Sequence, residues 1–451
     1  MAMGIYKPGT QNTLDMSRRN GIEQLSVIFM VTDKFFAFEL QKNALLPIGS
    51  RKNPISSKNP HLHFTKKRMI PQRKPTTAKE SEFQNVYLNF VNLEGKTDIR
   101  KLSTGELSEA LATLSLPRYR VRQIVEWLWL NHAASFSEMK NLPLDMRSVL
   151  DQKFVLRKTK ISEEQISKDG TIKSAFELYD GKIVEGVLIP VSDRSTACIS
   201  SQVGCSLTCA FCATGKLFRQ RNLEPYELFD QVLLIAEQSR RSRNMGLSNI
   251  VLMGMGEPLL NYSNVLEGIR RICSSEEGLG MSPQRITLST AGVAKMIAKL
   301  GDDGVRFNLA LSLHAASDEK RNRIMPINET NNLENLTASL QHFYQCTGNR
   351  VTYEYILFNG FNDSAEDAEQ LAVFAKKVPG KVNIIEYNPV EGTPFEKPSA
   401  DRTARFVSLL ENRKIIVNIR KSRGKDIDAA CGQLANKNVM AKPVFKPGYE
   451  S

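Results

Sequence analysis

The sequence predicts an α/β protein in which a (β/α)6-type partial barrel follows a small helical N-terminal domain. Apolar strand-like runs alternate with helical stretches through the C-terminal part of the chain, which is typical of repeated βα units around a parallel sheet. In such folds the loops at the carboxyl ends of the strands meet at one rim. Reactive side chains are therefore expected on those loops.

The elements of the barrel can be assigned in order along the chain. Residues 171–191 are predicted to form a hairpin, because two strand-like runs flank the Asp-Gly turn that begins at Asp180. Helical stretches are predicted at Tyr226–Arg240, Ala365–Lys377 and Asp401–Asn412. Apolar strand-like runs lie near 194–200, 247–253, 284–289, 305–313, 351–358, 382–386 and 415–420.

A separate helical domain is predicted at residues 98–157. Ser103 and Glu106 have the spacing of a capping box, and Pro117 is expected to open the second helix. The barrel domain is then expected at residues 171–436.

The net charge of +13 is concentrated in an N-terminal extension, residues 1–85. Between Gln41 and Lys79 there are ten Lys/Arg and no Asp or Glu, which leaves about +3 for the rest of the chain. Charge alone therefore does not indicate that the barrel binds RNA. The extension is basic and Pro-rich, which predicts disorder, and it resembles an organelle transit segment except for its early acidic residues. A tail is expected at 437–451.

Seven cysteines and the absence of a long apolar run restrict the environment of the protein. An odd cysteine count in a large chain is typical of a reducing intracellular compartment, and no membrane association is expected. Two of the seven, Cys273 and Cys346, fall in apolar helical patterns, which predicts that both are buried. The compartment is expected to be the cytoplasm, or an organelle matrix (plastid or mitochondrion) if the extension is a transit segment.

Three cysteines, Cys205, Cys209 and Cys212, are spaced C-x3-C-x2-C on a short loop. Three thiolates on one loop can ligate an iron–sulfur cluster and leave one iron open to a small molecule. A structural zinc site is the main alternative, but it needs a fourth ligand, and no second C-x2-C or H-x3-H pair follows.

Polar residues also follow several predicted strands. Met253-Gly-Met-Gly-Glu257 closes the second strand, where small residues would let a ligand approach the backbone. Ser289, Ser312 and Asn388 end other strands, although a lone serine at such a position is usually a helix cap.

Two further cysteines stand near the predicted rim. Cys198 precedes the cluster loop by seven residues, and Cys431 lies in a polar, Gly-flanked loop near Arg423 and Lys425. Such surroundings can lower the pKa of a thiol and make it a nucleophile, which suggests covalent sulfur chemistry.

Together these motifs resemble the RlmN/Cfr family of radical S-adenosylmethionine (SAM) RNA methyltransferases. The resemblance extends from about residue 98 to 436, with its motifs in the expected order. The matching segments are Val184–Pro190, Cys198–Cys212, Met253–Asn261, Arg285–Gly292, Leu309–His314, Met325–Asn328, Glu386–Pro389 and Asp426–Leu434.

The resemblance implies one [4Fe-4S] cluster held by the three loop cysteines, with SAM on its open iron and two SAM consumed per turnover. It also implies that the helical domain binds RNA. The SAM contacts that it implies are Gly256, Glu257, Ser289, Ser312, Leu313, His314 and Asn388.

The resemblance further implies a catalytic sequence on three residues. Cys431 would accept a methyl group from SAM, and a 5′-deoxyadenosyl radical would activate that methyl for addition to C2 of adenosine. Cys198 would resolve the protein–RNA adduct through a transient Cys198–Cys431 disulfide, and Glu185 would act as the proton acceptor.

Substrates implied by the resemblance are large-subunit (23S-type) ribosomal RNA and transfer RNA next to the anticodon. Expected partners are an electron donor such as flavodoxin or ferredoxin and a thiol reductant, and the protein is expected to be a monomer. Two alternatives stay open at this point: C8 methylation of adenosine, and an RNA-binding factor in which the cluster is only structural.

Overall fold

The computed structural model of the chain describes residues 96–436 and three strands near the N-terminus, Thr13–Arg19 (β1), Ile22–Val31 (β2) and Lys34–Gln41 (β3). These three strands pair antiparallel in the order β1-β2-β3. The rest of the extension at 1–85, and the tail at 437–451, lie outside the described residues. The three strands differ from the disorder expected of the extension, because the apolar and β-branched residues of Ile22–Val31 favour a strand. For the rest of the extension, disorder and the transit function stay predictions.

Three short helices follow, Thr104–Thr113 (α1), Arg120–Trp129 (α2) and Leu144–Lys153 (α3). Strand β4 (Thr97–Asp98) pairs in parallel with β5 (Phe154–Val155) and brings the two ends of this helical segment together. Ser103 and Glu106 form the predicted capping box at the start of α1. The expectation for Pro117 is wrong, because its carbonyl accepts the Arg120 N–H in a turn and α2 begins only at Arg120.

A ten-stranded sheet forms the body of the protein. The first three of its strands along the chain are antiparallel neighbours, Lys160–Ile166 (β6), Ile172–Glu177 (β7) and Ile183–Val191 (β8), and β7 and β8 are the predicted hairpin. The short strands Gln202–Val203 (β10) and Arg221–Asn222 (β11) pair apart from it.

The other seven strands of the sheet run parallel, and each pairs with the next of the seven along the chain. They agree with the predicted runs to within a few residues. Their bounds are Arg194–Cys198 (β9), Asn249–Leu252 (β12), Ile286–Thr290 (β13), Asn308–Ser312 (β14), Val351–Leu357 (β15), Gly380–Glu386 (β16) and Val417–Arg420 (β17).

Helices connect these parallel strands in six crossovers, which confirms the (β/α)6-type fold. The strand order across the ten-stranded sheet is β17-β16-β15-β14-β13-β12-β9-β8-β7-β6. Among the described residues β6 and β17 are therefore its two edge strands, and the barrel is partial. The helices are Pro225–Arg243 (α4), Tyr262–Cys273 (α5), Ala294–Asp302 (α6), Asp318–Ile324 (α7), Leu333–Thr347 (α8), Ala365–Ala375 (α9) and Ala400–Asn412 (α10).

The central strands are buried on both faces, as expected where helices cover a parallel sheet. Leu309, Ala310 and Leu311 of β14 are completely buried, although successive side chains of a strand point to opposite faces. Within the residues that the structure describes, no helix has the length and apolar character needed to cross a membrane.

Candidate active site

A pocket lies at the carboxyl ends of the parallel strands, where the sequence predicts reactive loops. It brings together most of the predicted site residues; Glu185, Leu313 and Asn388 are not among those that line it. The predicted residues in its lining are Cys198, Cys205, Cys209, Cys212, Gly256, Glu257, Ser289, Ser312, His314 and Cys431.

The three-cysteine loop follows β9 and is fixed at both ends. Gly204 has a φ of 74°, and a Cβ at this position would lie 1.9 Å from the Phe218 carbonyl oxygen, so only glycine fits. The Ala213 N–H donates to the Gly432 carbonyl at 2.8 Å, which ties the cysteine loop to the loop of Cys431. The ends of the barrel sequence therefore meet at the pocket.

Three thiols on one pocket wall suit a soft metal cluster. Cys205, Cys209 and Cys212 are not in disulfides. Burial raises the pKa of Cys209 well above its usual range, and the neighbouring thiols of Cys212 and Cys205 raise it further. Bound iron supplies the positive charge that would let such crowded sulfurs stay deprotonated, so the donor set fits an iron–sulfur cluster.

The turn after β12 presents Glu257 to the pocket. Its Oε2 accepts the Ala291 N–H at 2.8 Å and its Oε1 accepts the Leu259 N–H at 3.1 Å. Burial raises the pKa of Glu257 to about 6, against the lowering effect of these hydrogen bonds. The preceding Gly256 has a φ of 97°, and a Cβ there would lie 2.5 Å from Cβ of Gln202. Sequence reasoning missed Gln202, whose Oε1 accepts the Glu257 N–H at 2.9 Å.

His314 is held as a neutral, rigid ring at the end of β14. Burial, with a smaller effect from Arg321, lowers its pKa to about 3. Its Nδ1 accepts the Ile356 N–H at 3.1 Å, so the ring proton belongs on Nε2. Nearby, the hydroxyl groups of Ser289 and Ser312 lie 3.3 Å apart and join the ends of β13 and β14.

Arg321 organises this side of the pocket although its sequence context, among charged residues on a short helix, is typical of a solvent-facing position. It is completely buried. Its guanidinium donates to the carbonyls of Leu313 (3.1 Å) and Ala291 (2.6 Å) and to Oδ1 of Asn328 (2.7 Å). Leu313 is thus fixed through its backbone, with its side chain in the core.

Cys198 and Cys431 both line the pocket, although they lie at opposite ends of the barrel sequence. Cys198 is buried and Cys431 is exposed. Burial and, to a smaller extent, Cys431 raise the pKa of Cys198, and Arg420 opposes them; together these effects bring it to about 12. Asn388 contacts the backbone of Cys431: its side-chain amide donates to the Cys431 carbonyl at 3.3 Å.

Glu354 and Arg420 form an ion pair in the pocket wall that the sequence does not reveal. Glu354 on β15 is 3% exposed, and its Oε2 lies 3.2 Å from Nη1 of Arg420, at the end of β17. Asn383 donates to the other oxygen of Glu354 at 2.8 Å. The signal in the sequence was a glutamate inside an otherwise apolar and aromatic strand.

Glu185 lies beside the pocket on β8 and is 2% exposed. Its Oε2 accepts the N–H groups of Ala435 (2.8 Å) and Asn436 (3.1 Å), and Nζ of Lys173 lies 3.7 Å from Oε1. Burial raises its pKa, although Lys173 and the two N–H groups act in the opposite direction. This carboxyl group anchors the segment that follows Cys431.

The remaining two cysteines lie outside the pocket lining. The sequence favours burial for both, but Cys273 is half-buried and Cys346 is exposed, so the prediction for Cys346 is wrong. Cys346 is on the outer side of α8, where His342 and Asp302 are its polar neighbours.

The fold and the pocket define a class of protein, the radical SAM enzymes. The family model "Radical SAM superfamily" matches residues 199–372, and "Ribosomal RNA large subunit methyltransferase N-terminal domain" matches residues 97–156. A crystal structure of a radical SAM methyltransferase from Sphaerobacter thermophilus superposes with a TM-score of 0.70 at 40% identity, covering 75% of this chain and 99% of that one.

Curated relatives identify the family within this class. A "Probable dual-specificity RNA methyltransferase RlmN" from Cytophaga hutchinsonii is 59% identical over 76% of this chain and 94% of its own length. A "Dual-specificity RNA methyltransferase RlmN" from Nitratidesulfovibrio vulgaris is 43% identical over 75% of this chain and 94% of its own. The chain belongs to the RlmN family of radical SAM RNA methyltransferases. It is therefore a SAM-dependent RNA methyltransferase that uses an iron–sulfur cluster.

Proposed function

We propose that this protein methylates C2 of adenosine in large-subunit ribosomal RNA and in transfer RNA next to the anticodon. The observation that carries the proposal is the presence of Cys198 and Cys431 in one pocket with the three loop cysteines. A methyltransferase that only passed a methyl group from SAM to RNA would need no such pair of thiols. The names of the relatives, with their dual specificity for RNA, support two RNA substrates.

Cys205, Cys209 and Cys212 would hold one [4Fe-4S] cluster and leave one iron for SAM. When bound, the cluster supplies the electron that cleaves SAM to a 5′-deoxyadenosyl radical. The ionised carboxylate of Glu257 would accept hydrogen bonds from the SAM amino group. Neutral His314 would contact SAM without placing a second positive charge beside the sulfonium. Gly256, Ser289, Ser312, Leu313 and Asn388 are proposed to complete this binding site.

Cys431 would be the methyl carrier. Its thiolate attacks the methyl carbon of one SAM, so that a carbon–sulfur bond forms on Cys431 as the sulfonium bond breaks and S-adenosylhomocysteine leaves. A second SAM is consumed when this methyl group is activated for addition to the adenine ring. The exposure of Cys431 suits a group that must meet both SAM and RNA.

Cys198 would release the product. Its thiolate attacks the Cys431 sulfur, the sulfur–sulfur bond forms, and the bond from that sulfur to the transferred carbon breaks. The electron pair of the broken bond passes into the adenine ring, and the carbon takes up a proton to become the methyl group. Before this resolution, Glu185 would accept the proton that leaves C2 of the ring, and the unpaired electron of the adduct would return to the cluster. A thiol reductant then reopens the disulfide, and an electron donor such as flavodoxin or ferredoxin supplies the cluster.

The experiment is anaerobic reconstitution of the protein with iron and sulfide, followed by turnover with SAM, reductant and RNA. We expect 2-methyladenosine in the digested RNA, a methyl group on Cys431, and no RNA product from Cys431→Ala at unchanged iron content. Cys198→Ala should accumulate an RNA-linked protein species. Recovery of 8-methyladenosine would replace the C2 assignment, and full methylation by Cys431→Ala would overturn the methyl-carrier role.

A further inference from the structure

We propose that Arg420, held in place by Glu354, is the cation that stabilises the thiolates of Cys198 and Cys431. Arg420 is a positioning residue in this role, because it acts through the two sulfurs. The inference rests on the proposed function, in which both cysteines react as thiolates, and it adds a residue to which the sequence motifs assign no role.

The charges around the pocket carry the argument. Among the described residues that line it, Arg420 is the one Lys or Arg side chain, while Glu257 and Glu354 are acidic and the cluster cysteines would be thiolates. His314 is neutral there because burial lowers its pKa to about 3. A thiolate formed on Cys198 or Cys431 therefore has a single protein cation facing it across this pocket.

Arg420 is fixed rather than free to turn into solvent. Its Nη1 lies 3.2 Å from Oε2 of Glu354 and 3.7 Å from the Met253 sulfur. The Met253 N–H in turn is a hydrogen-bond donor to Cys198. Asn383 occupies the second oxygen of Glu354 at 2.8 Å, so that carboxylate cannot swing away. These contacts hold the guanidinium in the pocket wall that Cys198 and Cys431 also line.

The pKa shifts of Cys198 and of Arg420 both agree with this geometry. Burial raises the pKa of Cys198, and Arg420 pulls it back down. Burial alone would lower the pKa of Arg420, but Cys431, Glu354 and Cys198 hold it above its usual range. A nearby opposite charge favours the charged form of an ionisable group, typically by about one to three pKa units for a carboxyl beside an arginine. Removal of Arg420 should therefore lower the reactivity of the pocket thiols by about tenfold.

The test measures thiol reactivity in the reconstituted, cluster-loaded protein without SAM or RNA. Iodoacetamide labelling of Cys431 is followed by peptide mass spectrometry at pH 7, with Cys346 as the internal reference thiol. In Arg420→Met we expect labelling to fall about tenfold, because among the described residues no other Lys or Arg lines the pocket. Arg420→Lys should stay within about threefold of the parent, because it keeps the charge.

The matched control is Arg423→Met, since Arg423 lies three residues away and contacts Asp169 instead of the pocket. It should leave labelling unchanged. If Arg420→Met loses iron, Glu354→Gln tests the same idea by loosening the arginine, and it should lower Cys431 labelling by a smaller factor. Equal labelling of the parent and of all Arg420 and Glu354 variants at pH 7 would overturn the proposal.

Failure of this inference can be told from failure of the proposed function. If Arg420→Met lowers labelling but the parent never acquires a methyl group on Cys431, then the electrostatic role stands and the methyl-carrier role is wrong. If methylated Cys431 forms at the same rate in parent and Arg420→Met at pH 7, then the carrier role stands and the role of Arg420 is wrong.

Discussion

The charge of Glu257 is the clearest case in which a single residue's surroundings set its chemistry. Its folded pKa of about 6 lies above the usual carboxyl value, so the side chain is ionised at pH 7.5 and mostly protonated at pH 5.5. A protonated carboxyl is the poorer hydrogen-bond acceptor for an amino group. We expect the dissociation constant for SAM to rise about fourfold between these two pH values, by equilibrium dialysis of the cluster-loaded protein.

Glu257→Gln provides the comparison, because the amide keeps the size of the side chain but does not titrate. Its SAM affinity should be weaker at pH 7.5 and nearly the same at both pH values. A parent protein whose SAM affinity does not change over this range would contradict the proposed contact.

The sequence predicted the positions of some site residues in the fold but not of others. The grouping of the three loop cysteines on one pocket wall was predictable, because their spacing places three thiols on one short loop. Arg321 and Glu354 were not, since their roles depend on partners brought together only by the fold, such as Leu313 and Arg420. Cys346 was predicted as buried because helical periodicity indicates a face of the helix but not where its burial ends.

At the scale of elements, the cap of α1 gives a prediction that local sequence alone supports. The Ser103 hydroxyl accepts the Glu106 N–H at 3.2 Å, and the Glu106 carboxylate accepts the Ser103 N–H at 2.8 Å. Ser103→Ala should lower the stability of the helix by about 1 kcal/mol, because an N-terminal N–H loses its partner. Hydrogen exchange in the first turn of α1 should become about fivefold faster.

Glu106→Gln is the control for this cap, since glutamine can still accept the Ser103 N–H. It should leave exchange in α1 within about twofold of the parent. Unchanged exchange in Ser103→Ala would mean that tertiary packing of Leu107 and Leu111, both buried, holds the helix without its cap.

The strands of the barrel were predictable from local sequence, like the cap of α1. Strands buried on both faces read as continuous apolar runs, and β14 with Leu309–Leu311 is an example. The start of α2 could not be predicted, because a proline can occupy either the first turn of a helix or the turn before it. Pro117 lies in the turn before α2. The sequence also did not predict that three antiparallel strands form one edge of the sheet. Only the β7–β8 hairpin has a local turn signal, and the place of β6 beside it is known from the fold alone.

At the scale of the whole molecule, one buried ion pair joins the helical segment to the barrel. The Arg100 guanidinium contacts both carboxylate oxygens of Asp230 on α4, at 2.7 and 2.8 Å, and lies 4.5 Å from the centre of the Tyr226 ring. The Thr159 N–H adds a third bond to Asp230 at 3.0 Å. Nothing in the sequence pairs residues 130 positions apart, so this contact could not be predicted from it.

Removal of one partner should be costly, because it leaves the other buried and unpaired. We expect Asp230→Asn to lower the free energy of unfolding by about 3–5 kcal/mol, with faster hydrogen exchange throughout residues 97–157. Arg413→Gln, which breaks the exposed pair with Glu369, should cost less than about 1 kcal/mol. Equal effects of the two substitutions would show that the buried pair does not hold the helical segment.

The pH dependence of this pair provides an independent check. Arg100 holds the pKa of Asp230 below its usual value despite burial, so the stabilisation is fully present above pH 4 and is lost only as the pH falls through the lowered pKa. The stability difference between parent and Asp230→Asn should therefore be constant from pH 8 to 5, in anaerobic thermal unfolding. Replacement of both partners by Arg100→Met and Asp230→Leu should recover much of the loss, because a packed apolar pair carries no desolvation cost. A double variant as unstable as Asp230→Asn would mean that the charge itself, and not the burial of an unpaired partner, fixes the helical segment against α4.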